Sequence, residues 1–303
     1  MPTTFSTTAS HDAVCAAAAE LGLRAGEVEQ LSAELHLLPA EDLVAEVAPA
    51  LDDLSELSRE VTLARWLNSA GVPAAEPLAV DQPLPAAGLP VAFWHRTPRG
   101  RARIEDLGAL LRQLHALPVP ADLALPEHDV LGRMRPAIEN APIGEGDRAI
   151  LLSRLGELRD QVDRLDFPLE PGAIHGNAQL GAVATGEAGP VLVDVAHLAH
   201  GQPEWDLAAI ATEHRTGGWW TAEQYRRFAD SCGFDITGWS GFDALEAVHQ
   251  IRLTAALTPH VREDAELAAE YESRMRTIRD GLPAPWTPRM ISHSSAGTGG
   301  GHL

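Results

Sequence analysis

The chain contains no lysine: all 23 of its basic residues are arginine. Any mechanism that depends on a lysine amine is therefore excluded. Cysteine is nearly absent too. Cys15 and Cys232 are the whole supply, and nothing about them suggests a disulfide framework or a zinc site; plain buried thiols are the expectation. No run of 18 apolar residues occurs, so a membrane-spanning helix is not expected. The start, MPTTFSTTASHDAVC, lacks a basic segment followed by an apolar stretch, so it does not read as a secretory signal. A cytoplasmic protein is the expectation. No internal repeat is visible.

Positive charge is scarce overall. Against 43 acidic residues the formal charge is −20, with an isoelectric point near 4.9. Non-specific nucleic-acid binding depends on neutralising phosphates and is excluded on this balance. An anionic ligand needs a local basic pocket or a metal ion. The imbalance is steepest at the start: residues 1–60 hold twelve acids and only Arg24 and Arg59 as bases. That is a solvated acidic surface, in a segment not built to hold phosphates.

What remains is an ordinary globular composition over 303 residues, 45% hydrophobic and 22% charged. The length suits one large domain or two lobes. Residues 11–22 read as a short alanine-rich helix. From Glu27 to Ala48 short apolar runs (LHLL, LVAEVA) around Pro39 read as strands. Ser55 to Asn68 reads as a helix, with Leu57, Val61, Ala64 and Leu67 at helical spacing and Gly71 just past its end. Pro73–Ala79 and Val91–Trp94 supply further expected strands. Beyond TPRGRAR the pattern turns helical. Leu107, Leu110, Leu111, Leu114 and Leu117 mark one amphipathic helix, and about Asp147 to Leu165 a second. Two short buried strands follow, around PGAIHG and PVLVDV, and then helices to about Gly281, with a stop at Gly233. The end, ISHSSAGTGGGHL, offers nothing to bury. The expected organisation is an α+β lobe over 1–96, a helical lobe over 97–290 and a tail over 291–303.

The chemistry-bearing stretch is HGNAQLGAV followed by VLVDVAHLAHGQPEWDLA, His175 to Ala208. It resembles the aminoglycoside phosphotransferase and choline kinase family, in which the first motif reads H-G-D-x-x-x-x-N and the second is a strand ending in a magnesium-binding Asp. Here the spacing gives His175, Gly176, position 177, position 182 and Asp194, with Glu204-Trp205-Asp206-Leu207 after them. The resemblance extends over most of the chain. SREVTLARWLNSAGVPAAEPL looks like the helix carrying the Glu of the kinase ion pair, here Glu60. VAFWHR looks like the hinge strand, with Phe93, Trp94 and His95 as the implied nucleotide contacts. The implied fold is a bilobal protein-kinase-like one, with a small β-rich lobe and a large helical one. The implied cofactors are ATP and magnesium.

Four departures fall on the parts that touch nucleotide or catalysis. Phosphoryl transfer asks a protein mainly to position groups and offset charge. The basic residue expected to pair with Glu60 is replaced, in LVAEVA, by Glu46. Position 177, the catalytic Asp of the family, is Asn177, an amide that cannot take a proton at neutral pH. The magnesium Asn is Ala182, leaving Asp194 as the tentative metal ligand. The segment EQLSAELHLLPAED, at the phosphate-covering loop, has no glycine. The departures argue against both cofactors, and none is assigned.

Structural readings stand beside functional ones. His175 is a candidate catalytic group but more often braces the loop by hydrogen bonds. Asp206 is expected to be structural, near a helix start and bonding loop backbone. Asp194, His197 and His200, with His175, spell a remote alternative metal site. Trp219 and Trp220 are packing residues or a ligand wall. The leading expectation is a degenerate pseudo-phosphotransferase: a binding or scaffold subunit with a protein partner, a small molecule or peptide being the other candidate ligand. The alternatives are an active atypical ATP-dependent phosphotransferase for a small hydroxylated or cationic molecule or a peptide Ser/Thr, with one of Arg96, Arg99, Arg101 and Arg103 at the phosphates, and a cleft repurposed for other chemistry.

Overall fold

The computed structural model describes residues 6–24, 26–97, 100–186, 188–262, 264–281 and 286–288. The expected tail and Arg99 lie outside them. Two compact units emerge, the first formed by the chain up to Arg103 together with Leu180–Leu198, the second by Ile104–Gln179 and the chain from Ala199. A linear boundary near residue 96 does not express this, because the first unit takes back a later hairpin.

The first unit opens with α1 (Thr7–Glu20). It starts earlier than the alanine run because the Ser6 side chain accepts from the Ala9 N–H and caps it. Next come strands β1 (Glu29–Gln30), β2 (Leu35–Leu38), β3 (Leu43–Val47), β4 (Leu84–Ala86) and β5 (Leu89–His95), with α2 (Leu54–Ser69) between β3 and β4. They form one antiparallel sheet in the order β1-β2-β3-β5-β4. Ala13, Val14, Ala17 and Ala18 of α1 share a buried cluster with Leu43, Ala45, Val47, Val91 and Phe93. Small side chains let this helix lie close on the sheet. Because strand side chains alternate, Val44, Glu46, Ala92 and Trp94 belong to the opposite face.

The expected strand at Pro73–Ala79 is not one. The segment makes only isolated bridges, Ala74 to Leu192 and Pro77 to Trp94, and the edge strand is β4. Pro73 and Pro77 have no N–H to give to a ladder. The hairpin of β7 (Val183–Gly186) and β8 (Gly189–Leu192) completes the unit.

The second unit is mostly helical. Its helices are α3 (Ile104–His115), α4 (Val130–Glu139), α5 (Glu145–Val162), α6 (Glu204–Thr212), α7 (Ala222–Cys232), α8 (Phe242–Ala255) and α9 (Ala265–Asp280). The pair β6 (Gly172–Ile174) and β9 (Ala199–Gly201) is its small sheet. The leucine stripe of α3 is fully buried at Leu107, Leu110, Leu111 and Leu114; Leu117 lies past the helix end. The packing of α3 on α7 depends on Gly108: a Cβ there would stand 2.9 Å from the Phe228 carbonyl oxygen and 3.0 Å from Ser231 Cβ. The sequence pattern did not single out α4. Pro136 interrupts its periodicity, and its start is fixed by Asp129, whose carboxylate accepts from the Gly132 N–H at 2.8 Å.

Candidate functional site

Within the first unit the fold brings three acids together: Glu46 on β3, Glu60 on α2 and Asp194 just after β8. All three are buried. Trp94 stands diagonally across from Glu46 on the same sheet face and donates its indole N–H to Oε2 at 2.9 Å. Burial pushes the Glu46 carboxyl up to about 7, the Trp94 bond opposes that, and the charges of Glu34 and Asp194 add to it. Burial also raises Glu60 well above the usual carboxylate range, helped by Glu46 and Asp194 and opposed by Arg59. The Oδ1 of Asp194 is enclosed with no hydrogen-bond partner among the described residues. Like charges in one poorly hydrated place favour the neutral carboxyl.

Among the described residues, the cation whose charge acts on Glu60 is Arg59. Arg59, beside Glu60 on α2, donates from Nη2 to the Ala196 carbonyl at 2.9 Å, while its Nη1 is enclosed without a partner among the described residues. Arg96 is exposed and lies 3.7 Å from the exposed Asp42; Arg101 and Arg103 are exposed. The sequence offered one cue to Arg59, its adjacency to Glu60, but not the direction of its side chain.

The other implied nucleotide contacts have their backbone groups engaged. The Phe93 N–H donates to Gln82 Oε1 at 2.7 Å, and its carbonyl accepts from the Leu78 N–H and from Gln82 Nε2. The His95 N–H donates to the Glu76 carbonyl. In the β1–β2 loop, Ser32 Oγ accepts from the N–H groups of Glu34 and Leu35, while those of Leu31 and Ser32 donate to the Leu35 carbonyl. A glycine-rich loop would turn such N–H groups toward phosphates; here they are satisfied internally. Ala182, fully buried, offers no side-chain oxygen, and its carbonyl accepts from the Val193 N–H. These residues do not fit a magnesium-bound triphosphate: two acids stand where a cation is needed, and Asp194 has no amide oxygen beside it at 182.

Within the second unit, His175, Asn177 and Asp206 come together around the loop after β6. Asp206, on the first turn of α6, is buried. Its Oδ2 accepts from His115 Nε2 at 2.9 Å and from the His175 N–H at 2.7 Å, and its Oδ1 accepts from the Gly176 N–H at 2.9 Å. Burial by itself would raise this carboxyl, but the His115 contact and the His175 N–H outweigh it and hold it below the usual range. Asp206 thus bonds the backbone of the loop after β6. Gly176 has φ +74°, which a side chain rarely adopts, so the glycine lets both successive N–H groups reach one carboxylate. The His175 brace is different from the expectation. Its backbone N–H does the bonding, while both ring nitrogens are enclosed with no partner among the described residues. Asn177 Oδ1 accepts from Arg252 Nη1 on α8 at 3.0 Å.

Other candidates separate from this group. Among the described residues no set of three His, Cys, Asp or Glu side chains is arranged to hold a metal ion, so the Asp194–His197–His200 pattern does not become one; His200 lies on β9 beside Glu127. The Trp219 indole donates to the Trp286 carbonyl, and the Trp220 indole to Glu213 Oε2 at 2.8 Å. Cys15 and Cys232 are free and only partly buried.

The antiparallel sheet with its helices, followed by a mostly helical unit with a histidine–glycine loop tied to a helix carboxylate, defines a kinase-like phosphotransferase fold. The chain belongs to the phosphotransferase enzyme family, whose sequence model matches residues 20–248. No curated protein matches the chain. Solved structures share its fold at low identity. The amicoumacin kinase hAmiN, in complex with AMP-PNP, Ca2+ and Ami, is 13% identical with a TM-score of 0.67, covering 86% of this chain and 90% of that one. The GDP and kanamycin complex of APH(2")-IIia is 14% identical with a TM-score of 0.63, covering 88% and 98%. A choline/ethanolamine kinase family protein from Mesorhizobium loti is 18% identical with a TM-score of 0.62, covering 91% and 94%. Among the described residues no helix is long and apolar enough to cross a membrane.

Proposed function

We propose that this chain is a phosphotransferase-family protein that binds rather than phosphorylates, acting as a binding or scaffold subunit beside a partner enzyme. The observation that carries the reading is the burial of Glu46 with Glu60 and Asp194. A transferring site needs fixed positive charge at the phosphates, and this one concentrates carboxyl groups. The internally satisfied β1–β2 loop and the amide at 177 support the same reading. Calorimetric titration with ATP, with and without magnesium, tests it together with a radiolabel transfer assay. The expected result is no binding at millimolar nucleotide and no label transfer to the protein or to aminoglycosides, choline or Ser/Thr peptides. ATP-dependent turnover that disappears in Asp194→Ala would overturn it.

A second reading rests on Arg59. Its enclosed, unpartnered Nη1 is a guanidinium donor beside the acidic group, and an atypical phosphotransferase would use it as its cation. Magnesium-dependent ATP binding lost in Arg59→Met would favour this reading over the first.

A further inference from the structure

The face of the first sheet that α1 covers carries a titratable group of its own. His36 pairs directly with Ala45 across β2 and β3 and so shares its face, opposite to Glu46. Its side chain is fully buried, and neither ring nitrogen has a hydrogen-bond partner among the described residues. Burial lowers its proton affinity, and the charge of His11 lowers it further. Both effects favour a neutral ring, one whose donor and acceptor are unused.

His11 and Cys15 stand beside it on α1. Residues four apart on a helix are neighbours, and His11 Nε2 lies 3.7 Å from Cys15 Sγ. The His11 ring is tilted by 42° to that of His36, with 6.2 Å between the centroids. His11 thus adjoins both a thiol and a buried imidazole. Cys15 is free and only partly buried, and His11 is exposed, so a small solute can approach the pair from outside.

A free thiol is only about 3% ionised at pH 7. An imidazole at this distance takes its proton and leaves the thiolate, which is the attacking form. His36 bears on that step. A neutral ring beside His11 lets an imidazolium form there, where a protonated ring would repel it. The three groups are not arranged around a metal ion. They assemble a nucleophile, a base and a neighbour that supports the base.

We propose that Cys15 is a thiol-exchange site that takes a small disulfide and holds half of it as a mixed disulfide, with His11 as its base and His36 as a positioning residue. Cys15 gives its proton to His11 Nε2, and the thiolate attacks one sulfur of the incoming disulfide. The new S–S bond forms as the old one breaks, and the departing thiolate takes the proton from His11. One protein thiol and one small disulfide become one mixed disulfide and one small thiol, with Cys15 oxidised and the departing sulfur reduced. Cys232 does not share this chemistry. Burial chiefly, with the charge of Asp206, pushes its thiol up to about 12. The site uses neither Glu46 nor Asn177, so it stands whether or not the chain transfers phosphate.

The test exposes the full chain to bis(2-hydroxyethyl) disulfide, an uncharged probe, at pH 7 and pH 9, and locates the adduct by peptide mass spectrometry. In wild type at pH 7 the adduct is expected on Cys15 at least about tenfold faster than on Cys232. His11→Gln is expected to slow the Cys15 reaction about three- to tenfold at pH 7 and to leave it within about twofold at pH 9, because a base matters only where the thiol is not already ionised. His36→Phe keeps the ring and is expected to slow the pH 7 reaction about two- to threefold, with the same recovery at pH 9. Should that variant not fold, His11→Gln, at an exposed position, carries the test. Faster labelling of Cys232 than of Cys15, or equal Cys15 rates in wild type and His11→Gln at pH 7, overturns the proposal. A loss in His11→Gln of the same size at both pH values overturns it as well, since that marks altered access and no base. Equal rates in wild type and folded His36→Phe at pH 7 overturn the role of His36 and leave that of His11.

Discussion

The indole N–H of Trp94 donates to the Glu46 carboxyl at 2.9 Å across adjacent strands. That carboxyl group lies buried beside two others. Tryptophan gives this group a donor without a charge, so the bond tempers the cost of burial and does not cancel it.

The pH dependence of stability follows from that arrangement. Glu46 is raised from 4.5 to about 7 in the folded chain, and Glu60 is raised as well. A native state that holds protons the unfolded chain has released loses stability as pH rises. The contribution is fully present below about pH 4.5 and is lost as pH passes through 7. Urea denaturation at pH 5.5 and pH 8 is expected to show lower stability at pH 8. Glu46→Gln, which keeps an acceptor for Trp94, should flatten the difference and stabilise the chain at pH 8 by about 1–2 kcal/mol. A stability that rises between those pH values in wild type would contradict the assignment.

The Asp206 network predicts the opposite response to loss of charge. Its carboxylate joins His115 to two successive backbone N–H groups, and its proton affinity is depressed in the folded state. Asp206→Asn leaves one of those N–H groups facing an amide nitrogen. The expected loss is about 2–4 kcal/mol, read from the denaturation midpoint. Amide exchange at His175 and Gly176 should accelerate in the same variant. Unchanged exchange there would mean that the loop is held by something else.

Gly108 makes a prediction about packing alone. Its missing Cβ is what permits α3 to approach the Phe228 carbonyl of α7. Gly108→Val forces the two helices apart and should cost about 2–3 kcal/mol. Gly156 on α5 has nothing within 4 Å of its would-be Cβ. Gly156→Ala should therefore be neutral or stabilising by up to about 1 kcal/mol. Equal losses in the two variants would mean that the close helix approach is not the cause.

The sequence by itself determined the family, because that depends on residue types at fixed spacing along one chain: His175-Gly176, Asp194 and Glu204-Trp205-Asp206 can be read without folding anything. It also determined what the chain lacks. No conformation can produce a lysine, a carboxylate at 177 or a side-chain oxygen at 182. The strands around Pro39 and the leucine stripe of α3 were legible because periodicity 2 and 3.6 are local properties. Pro73–Ala79 misled because its apolar content suits a strand while its prolines cannot feed a ladder.

What only the tertiary structure decided is where unlike segments meet. Arg252 meets Asn177 across 75 positions of sequence, and no local pattern encodes such a contact. Arg59 turns toward Ala196 across 137 positions. The state of Glu46 depends on desolvation, which exists only once β3 and α2 close over it. Missing groups are a property of composition, but the charge balance they leave behind is a property of packing, and here packing buries carboxyl groups together in one unit and sets a guanidinium against an amide in the other.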